Sequence, residues 1–136
     1  MGATPRRRQP EIVRAALLDA VVQEAVHAGL GSVTVLAVAA RAGVSKGALF
    51  HHFSSKQDLV EATLTSLIAD FEDRVREVLR QSPPRHGGFS RAYVQVNFDH
   101  LLQQEQINDI GLTMGNMLEP ALLVHWRTWM RGMLVR

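Results

Sequence analysis

From Val44 to Lys56 the sequence reads Val-Ser-Lys-Gly-Ala-Leu-Phe-His-His-Phe-Ser-Ser-Lys. Ser45, Lys46, His51, His52 and Lys56 are all hydrogen-bond donors, and the two lysines carry full positive charge, so the segment suits an anionic partner. Lys46 is followed by Gly47 and Ala48, two residues with almost no side chain, as needed where a backbone must approach another surface closely. Against the major groove of duplex DNA, Lys46 could donate to guanine O6 and N7, Gly47 would let the chain enter, and the Ala48 methyl could touch a thymine methyl. Small residues at a helix start are equally ordinary helix surface. His51 and His52 can each donate to a phosphate, more strongly when protonated. They are not expected to share a metal, because adjacent helical side chains point about 100° apart.

Other chemistries find less support. The chain has no cysteine, which excludes disulfides, thiolate metal sites and cysteine nucleophiles and suits a reducing cytoplasm. No Ser-His-Asp, H-E-x-x-H or phosphate-loop spacing appears, so the sequence points away from an enzyme, a metal centre or a cofactor. No run of 18 apolar residues is present, and Asp19, Gln23, Glu24 and His27 interrupt what could pass for a signal peptide, so no membrane association is expected.

The elements that would carry these residues read as helices throughout. Pro10–Ala28 is rich in helix formers, with Leu17, Val21, Ala25 and Ala28 spaced for one buried face and Gly29 as a stop. The following segment is helical from a cap at Thr34 to Gly43, and the next starts at a cap on Ser45 and places Leu49 and Phe53 on one side. Ser55 and Asp58 resemble a capping box opening a long helix to Arg80, with Val60, Leu64, Leu67, Ile68, Phe71, Val75, Val78 and Leu79 in helical repeat. Residues 81–88 break it with paired prolines and paired glycines. Ser90–Gln104 is predicted helical with Val94, Phe98, Leu101 and Leu102 inward. A shorter helix covers about Asp109–Leu118, and a last one runs from Pro120 to the end. The fold class predicted is all-α.

The chain is 136 residues long with a net charge of +2. That sum conceals an asymmetry: residues 1–56 hold seven basic and three acidic side chains, +4, and the remainder eight and ten, −2. A basic head on a mildly acidic body suits a polyanion at the head, although a solvated arginine tail at Arg6, Arg7 and Arg8 would give the same balance.

Leu17-Leu18-Asp19-Ala20, Gly29, Thr34, Val38-Ala39, the run Arg41–Phe53, Ser55-Lys56 and Leu59 together resemble the DNA-binding domain of TetR-family transcriptional regulators, over about residues 12–62 in register and without gaps. The densest part of the match is Ala-Gly-Val-Ser-Lys-Gly-x-Leu-x-His-His-Phe-x-Ser-Lys. The resemblance implies a flexible basic arm at 1–9, a three-helix helix-turn-helix domain at 10–56, and a helical ligand-binding and dimerisation domain at 57–136, joined to the head by the long fourth helix. It implies DNA contacts from Thr34, Ser45, Lys46, Gly47, Ala48, Phe50, His51, His52 and Lys56. For Thr34 and Ser45, capping and phosphate contact are compatible. Phe50 stands where the family usually has tyrosine, so a hydroxyl contact to phosphate is either lost or taken over by His51. Leu36 and Ala40 stand where polar residues are common in the family, which leaves any base contact from the second helix without its usual side chains.

For the body the resemblance implies an internal pocket for a small effector and a surface that pairs two subunits. Phe98, Ile110, Met114, Met117, Trp126 and Trp129 are of the type that lines such a pocket and equally of the type that fills a core. The family usually continues for two helices beyond the one starting near Pro120, and this sequence stops at Arg136, so the body is expected to be incomplete. The expected function is a ligand-responsive, homodimeric repressor in the cytoplasm, binding a palindromic double-stranded DNA operator. The alternative is a helical interaction module or truncated fragment without regulated DNA binding.

Overall fold

The computed structural model describes residues 8–82 and 86–102, together with 124, 127, 128 and 130–132. Its elements are α1 (Arg8–Ala28), a 3-10 turn (Leu30–Ser32), α2 (Val35–Ala42), α3 (Lys46–His52), α4 (Lys56–Gln81) and α5 (Gly88–Leu102). No strand occurs among the described residues, and the all-α class is as expected. Contacts divide the chain into two compact units, Met1–Thr63 and Leu64–Arg136.

In the first unit, α1 packs on α2 and α3, and α2 packs on α3. Leu17, Ala20, Val21 and Ala25 are buried along α1, a stripe with steps of three, one and four residues that one helical face provides. Ala28, expected on that face, is exposed. It is the last residue of α1, and Gly29 at φ 83° turns the chain away from the helix axis there. Val33 is buried after the 3-10 turn, followed by Val38 and Ala39 of α2, Leu49 of α3, Phe53 in the turn beyond it, and Leu59 early in α4. Each of the larger side chains contributes about 1.5–3 kcal/mol by leaving water. Thr63 is the buried polar residue among those described in this unit; its hydroxyl donates to the Leu59 carbonyl at 2.8 Å, so it is satisfied without leaving the helix.

In the second unit the core is built from Val75 of α4 with Ala92 and Val96 of α5, flanked by Phe71, Val78, Leu79 and Phe89. Tyr93 meets Phe71 edge-on at 5.5 Å between ring centroids and lies tilted against Phe89 at 6.2 Å. Burial raises the Tyr93 phenol above its ordinary pKa, and a hydrogen bond with the Asn97 side chain partly offsets this. The inward face of α5 is therefore Phe89, Ala92, Tyr93 and Val96. Val94 and Phe98, expected inward, are 62% and 56% exposed. The cause is phase: α5 has apolar residues around most of its circumference, and the aromatic cluster with Phe71 selects the 89–92–93–96 side. The side chains of Leu101 and Leu102 lie outside the described set, as does the segment 109–118 predicted helical. Residues 124, 127, 128 and 130–132, within the last predicted helix, are helical. No helix among the described residues is long and apolar enough to cross a membrane.

Candidate nucleic-acid interface

The site is built from two short helices and the turn between them. α2 starts at Thr34, whose backbone is extended and whose hydroxyl accepts the Ala37 amide at 3.2 Å. It ends at Gly43, in the left-handed region at φ 69° and ψ 29°. There the Gly43 amide donates to the Ala40 carbonyl at 3.2 Å and the Val44 amide to the Ala39 carbonyl at 3.0 Å, a Schellman closure that takes up two carbonyls the helix end would leave open. A side chain at residue 43 would meet no atom within 4 Å, so what demands glycine is the positive φ alone.

Two residues later Ser45 caps α3, its hydroxyl accepting the Ala48 amide at 3.1 Å. α3 has seven residues, and its buried anchor is Leu49. With that side turned inward, Lys46, Gly47, Phe50 and His51 are exposed, and Ala48 and His52 are half-buried. The Lys46 ammonium lies 5.8 Å from the centre of the Phe50 ring, within range of a weak cation–π attraction. The rings of His51 and His52 meet edge to face with centroids 5.8 Å apart. A Cβ added to Gly47 would find only the Ser45 hydroxyl, at 3.9 Å, so nothing in the packing requires glycine at that exposed position.

Phe53 closes α3, its amide donating to the Leu49 carbonyl at 3.0 Å and its ring buried. The guanidinium carbon of Arg14, on α1, lies over that ring, 4.6 Å from its centre. The start of α4 then departs from a standard capping box. Ser55 caps it through the Asp58 amide at 3.0 Å, but the Asp58 carboxylate reaches back past Ser55 to the Ser54 amide at 2.8 Å and the Ser54 hydroxyl at 3.1 Å. The reciprocal bond is thus shifted one residue toward the N-terminus, and Lys56 is left exposed in the first turn.

Charges on the first unit divide into tied and untied. Arg41 donates to Glu24 at 2.6 Å across α2 and α1, which neutralises it. Lys46, Lys56 and Arg14 form no ion pair among the described residues. Of the residues expected to meet DNA, Thr34, Ser45, Lys46, Gly47, Phe50, His51 and Lys56 are exposed and Ala48 and His52 half-buried, and all stand on α3 or at the starts of α2, α3 and α4. On α2, Leu36 is 66% exposed and Ala40 is exposed. Of the expected pocket residues, Phe98 is exposed, and Ile110, Met114, Met117, Trp126 and Trp129 lie outside the described residues, as do Arg6 and Arg7. Arg8 is the first residue of α1. The sequence reading missed Arg14; its position three residues before Leu17, on the flank of the buried stripe, was the available signal.

Two short helices joined through a left-handed glycine, the second with its first turn open to a partner, make the N-terminal unit a helix-turn-helix domain. Residues 17–63 match the family of bacterial regulatory proteins designated tetR, so the N-terminal unit carries the DNA-binding domain of that family. It is 37% identical over 97 residues to the HTH-type transcriptional regulator BetI of Burkholderia cenocepacia strain HI2424, covering 70% of this chain and 49% of that protein. BetI of Burkholderia ambifaria strain MC40-6 is likewise 37% identical over 97 residues, with the same coverage. BetI 2 of Chromohalobacter salexigens is 37% identical over 103 residues, covering 73% of this chain and 45% of that protein. The chain spans about half the length of these relatives. No solved structure matches it.

Proposed function

We propose that the chain is a transcriptional repressor that reads duplex DNA through α3 and responds to a small-molecule effector bound by its second unit. The observation that carries the reading is the exposed Lys46-Gly47-Ala48 turn at the head of α3, held by the Ser45 cap and preceded by the left-handed Gly43. Lys46 donates to base edges, most suitably guanine O6 and N7; Gly47 admits the backbone to the groove; Ala48 meets a thymine methyl. Thr34, Ser45, His51 and Lys56 grip phosphates on either side, and Phe50 makes apolar contact with sugar or base where a tyrosine would have donated. The neighbouring helix N-termini add partial positive charge toward the same phosphates. The printed names of the relatives, transcriptional regulators of the helix-turn-helix type, support the class.

The operator is a short palindrome bound by two copies, one α3 per half-site. The effector acts by favouring a conformer whose two reading heads no longer match the half-site separation, which lowers operator affinity by linkage. The protein works in the cytoplasm and catalyses no reaction. Selection of the intact chain against a pool of randomised duplexes at physiological salt tests this. A short enriched motif bound at least about a thousandfold more tightly than bulk DNA is expected. Equal affinity for every duplex would refute sequence reading, and absence of any duplex binding would leave a helical interaction module.

A further inference from the structure

We infer that Arg14, on α1 and just ahead of residues 17–63, is a further DNA-backbone contact, preorganised by its seat over the Phe53 ring. The inference rests on the reading of the first unit as a DNA-binding head. Arg14 is exposed, and its guanidinium lies 4.6 Å from the centre of the Phe53 ring. Phe53 is only 2% exposed, so the ring is a fixed platform. The ring holds the guanidinium carbon from one side, while the exposed side chain keeps N–H donors open to solvent, where a phosphate can be met bidentately. Much of the rotamer freedom that phosphate binding would remove is already restricted by the stack.

Two comparisons within the molecule sharpen the assignment. Arg41 is also an exposed cation of this unit, but its guanidinium is bonded to Glu24 at 2.6 Å, whereas Arg14 forms no ion pair among the described residues. Its anchor Phe53 precedes Lys56 by three residues, a separation of at most about 10 Å along the chain. Phosphates on one strand recur about every 3.4 Å of helix axis. Arg14, from α1 through the Phe53 ring, and Lys56, from α4, are therefore both carried within a few residues of the turn between α3 and α4.

The test measures binding of the intact chain to a duplex oligonucleotide by fluorescence anisotropy across a sodium chloride series, for the wild type, Arg14→Met, Arg14→Gln, Arg14→Lys, Arg41→Met and Lys56→Ala. Arg14→Met keeps an unbranched apolar stem on Phe53 and removes the charge; Arg14→Gln is a second neutral variant, so the result does not depend on one variant folding. Both neutral variants are expected to lose on the order of tenfold in affinity for specific and non-specific duplex alike. Both should also show a slope of log affinity against log salt shallower by about 0.9. Arg14→Lys should keep the wild-type slope, and Arg41→Met should leave it unchanged. If Lys56→Ala flattens the slope and the folded neutral Arg14 variants do not, Arg14 only packs and the inference is overturned. If the wild type binds no duplex, the reading of the head fails and takes this inference with it.

Discussion

At the scale of single residues, the candidate interface separates groups that could read sequence from groups that could only hold the backbone. Lys46 stands exposed at the first position of α3, the group that the proposed function assigns to base edges. Lys46→Ala is expected to weaken binding to the selected operator by about 1–3 kcal/mol and to relax preference at one base pair, measured by competition against operators altered at each position. Lys56 begins α4 and should meet phosphate only. Lys56→Ala should weaken all sequences equally and lower the salt slope by about one; a loss confined to one sequence would contradict that role. Gly47 gives a third test. Glycine within a helix is less favourable than alanine by about 0.5–1 kcal/mol, and a Cβ there would meet only the Ser45 hydroxyl at 3.9 Å. Gly47→Ala should therefore leave the melting temperature equal or higher while reducing operator affinity, because the added methyl stands between backbone and groove. Unchanged affinity would show that α3 does not enter the groove at residue 47.

At the scale of elements, α2 and α3 have eight and seven residues, too few to persist as isolated helices in water. They persist because Val38, Ala39 and Leu49 are buried and because their ends are closed by Thr34, Gly43 and Ser45. Ser45→Ala removes the acceptor for the Ala48 amide and should cost about 1 kcal/mol of stability, read as a lower urea midpoint at unchanged slope. If Ser45 also contacts phosphate, the loss in DNA affinity will exceed what the folded fraction explains. These caps were legible in the sequence because a serine or threonine before a helix, or a glycine after one, acts on amides and carbonyls within five residues. The phase of α5 was not. Phe89, Ala92, Tyr93, Val94, Val96 and Phe98 leave several faces apolar, and only the packing of Tyr93 and Phe89 with Phe71 and Val75 selects one of them.

At the scale of the whole molecule, the surplus of positive charge in residues 1–56 and of negative charge beyond them favours approach of the N-terminal unit to a polyanion. A palindromic operator is expected to bind two copies of the intact chain with steep concentration dependence, measured by sedimentation of the complex, and a single half-site to bind one copy more weakly. A stoichiometry of one on the palindrome would exclude paired reading. The sequence by itself determined the helical class, the ends of α2, α3 and α4, and the exposed Lys46-Gly47 turn, since these depend on hydrogen bonds and apolar spacing within a few residues. Tertiary structure alone decided that Arg41 is neutralised by Glu24, 17 residues away, that Arg14 lies on Phe53, and which side of α5 is buried. The reason is that charge pairing and stacking between distant residues depend on how helices lie against one another, and no local pattern encodes that.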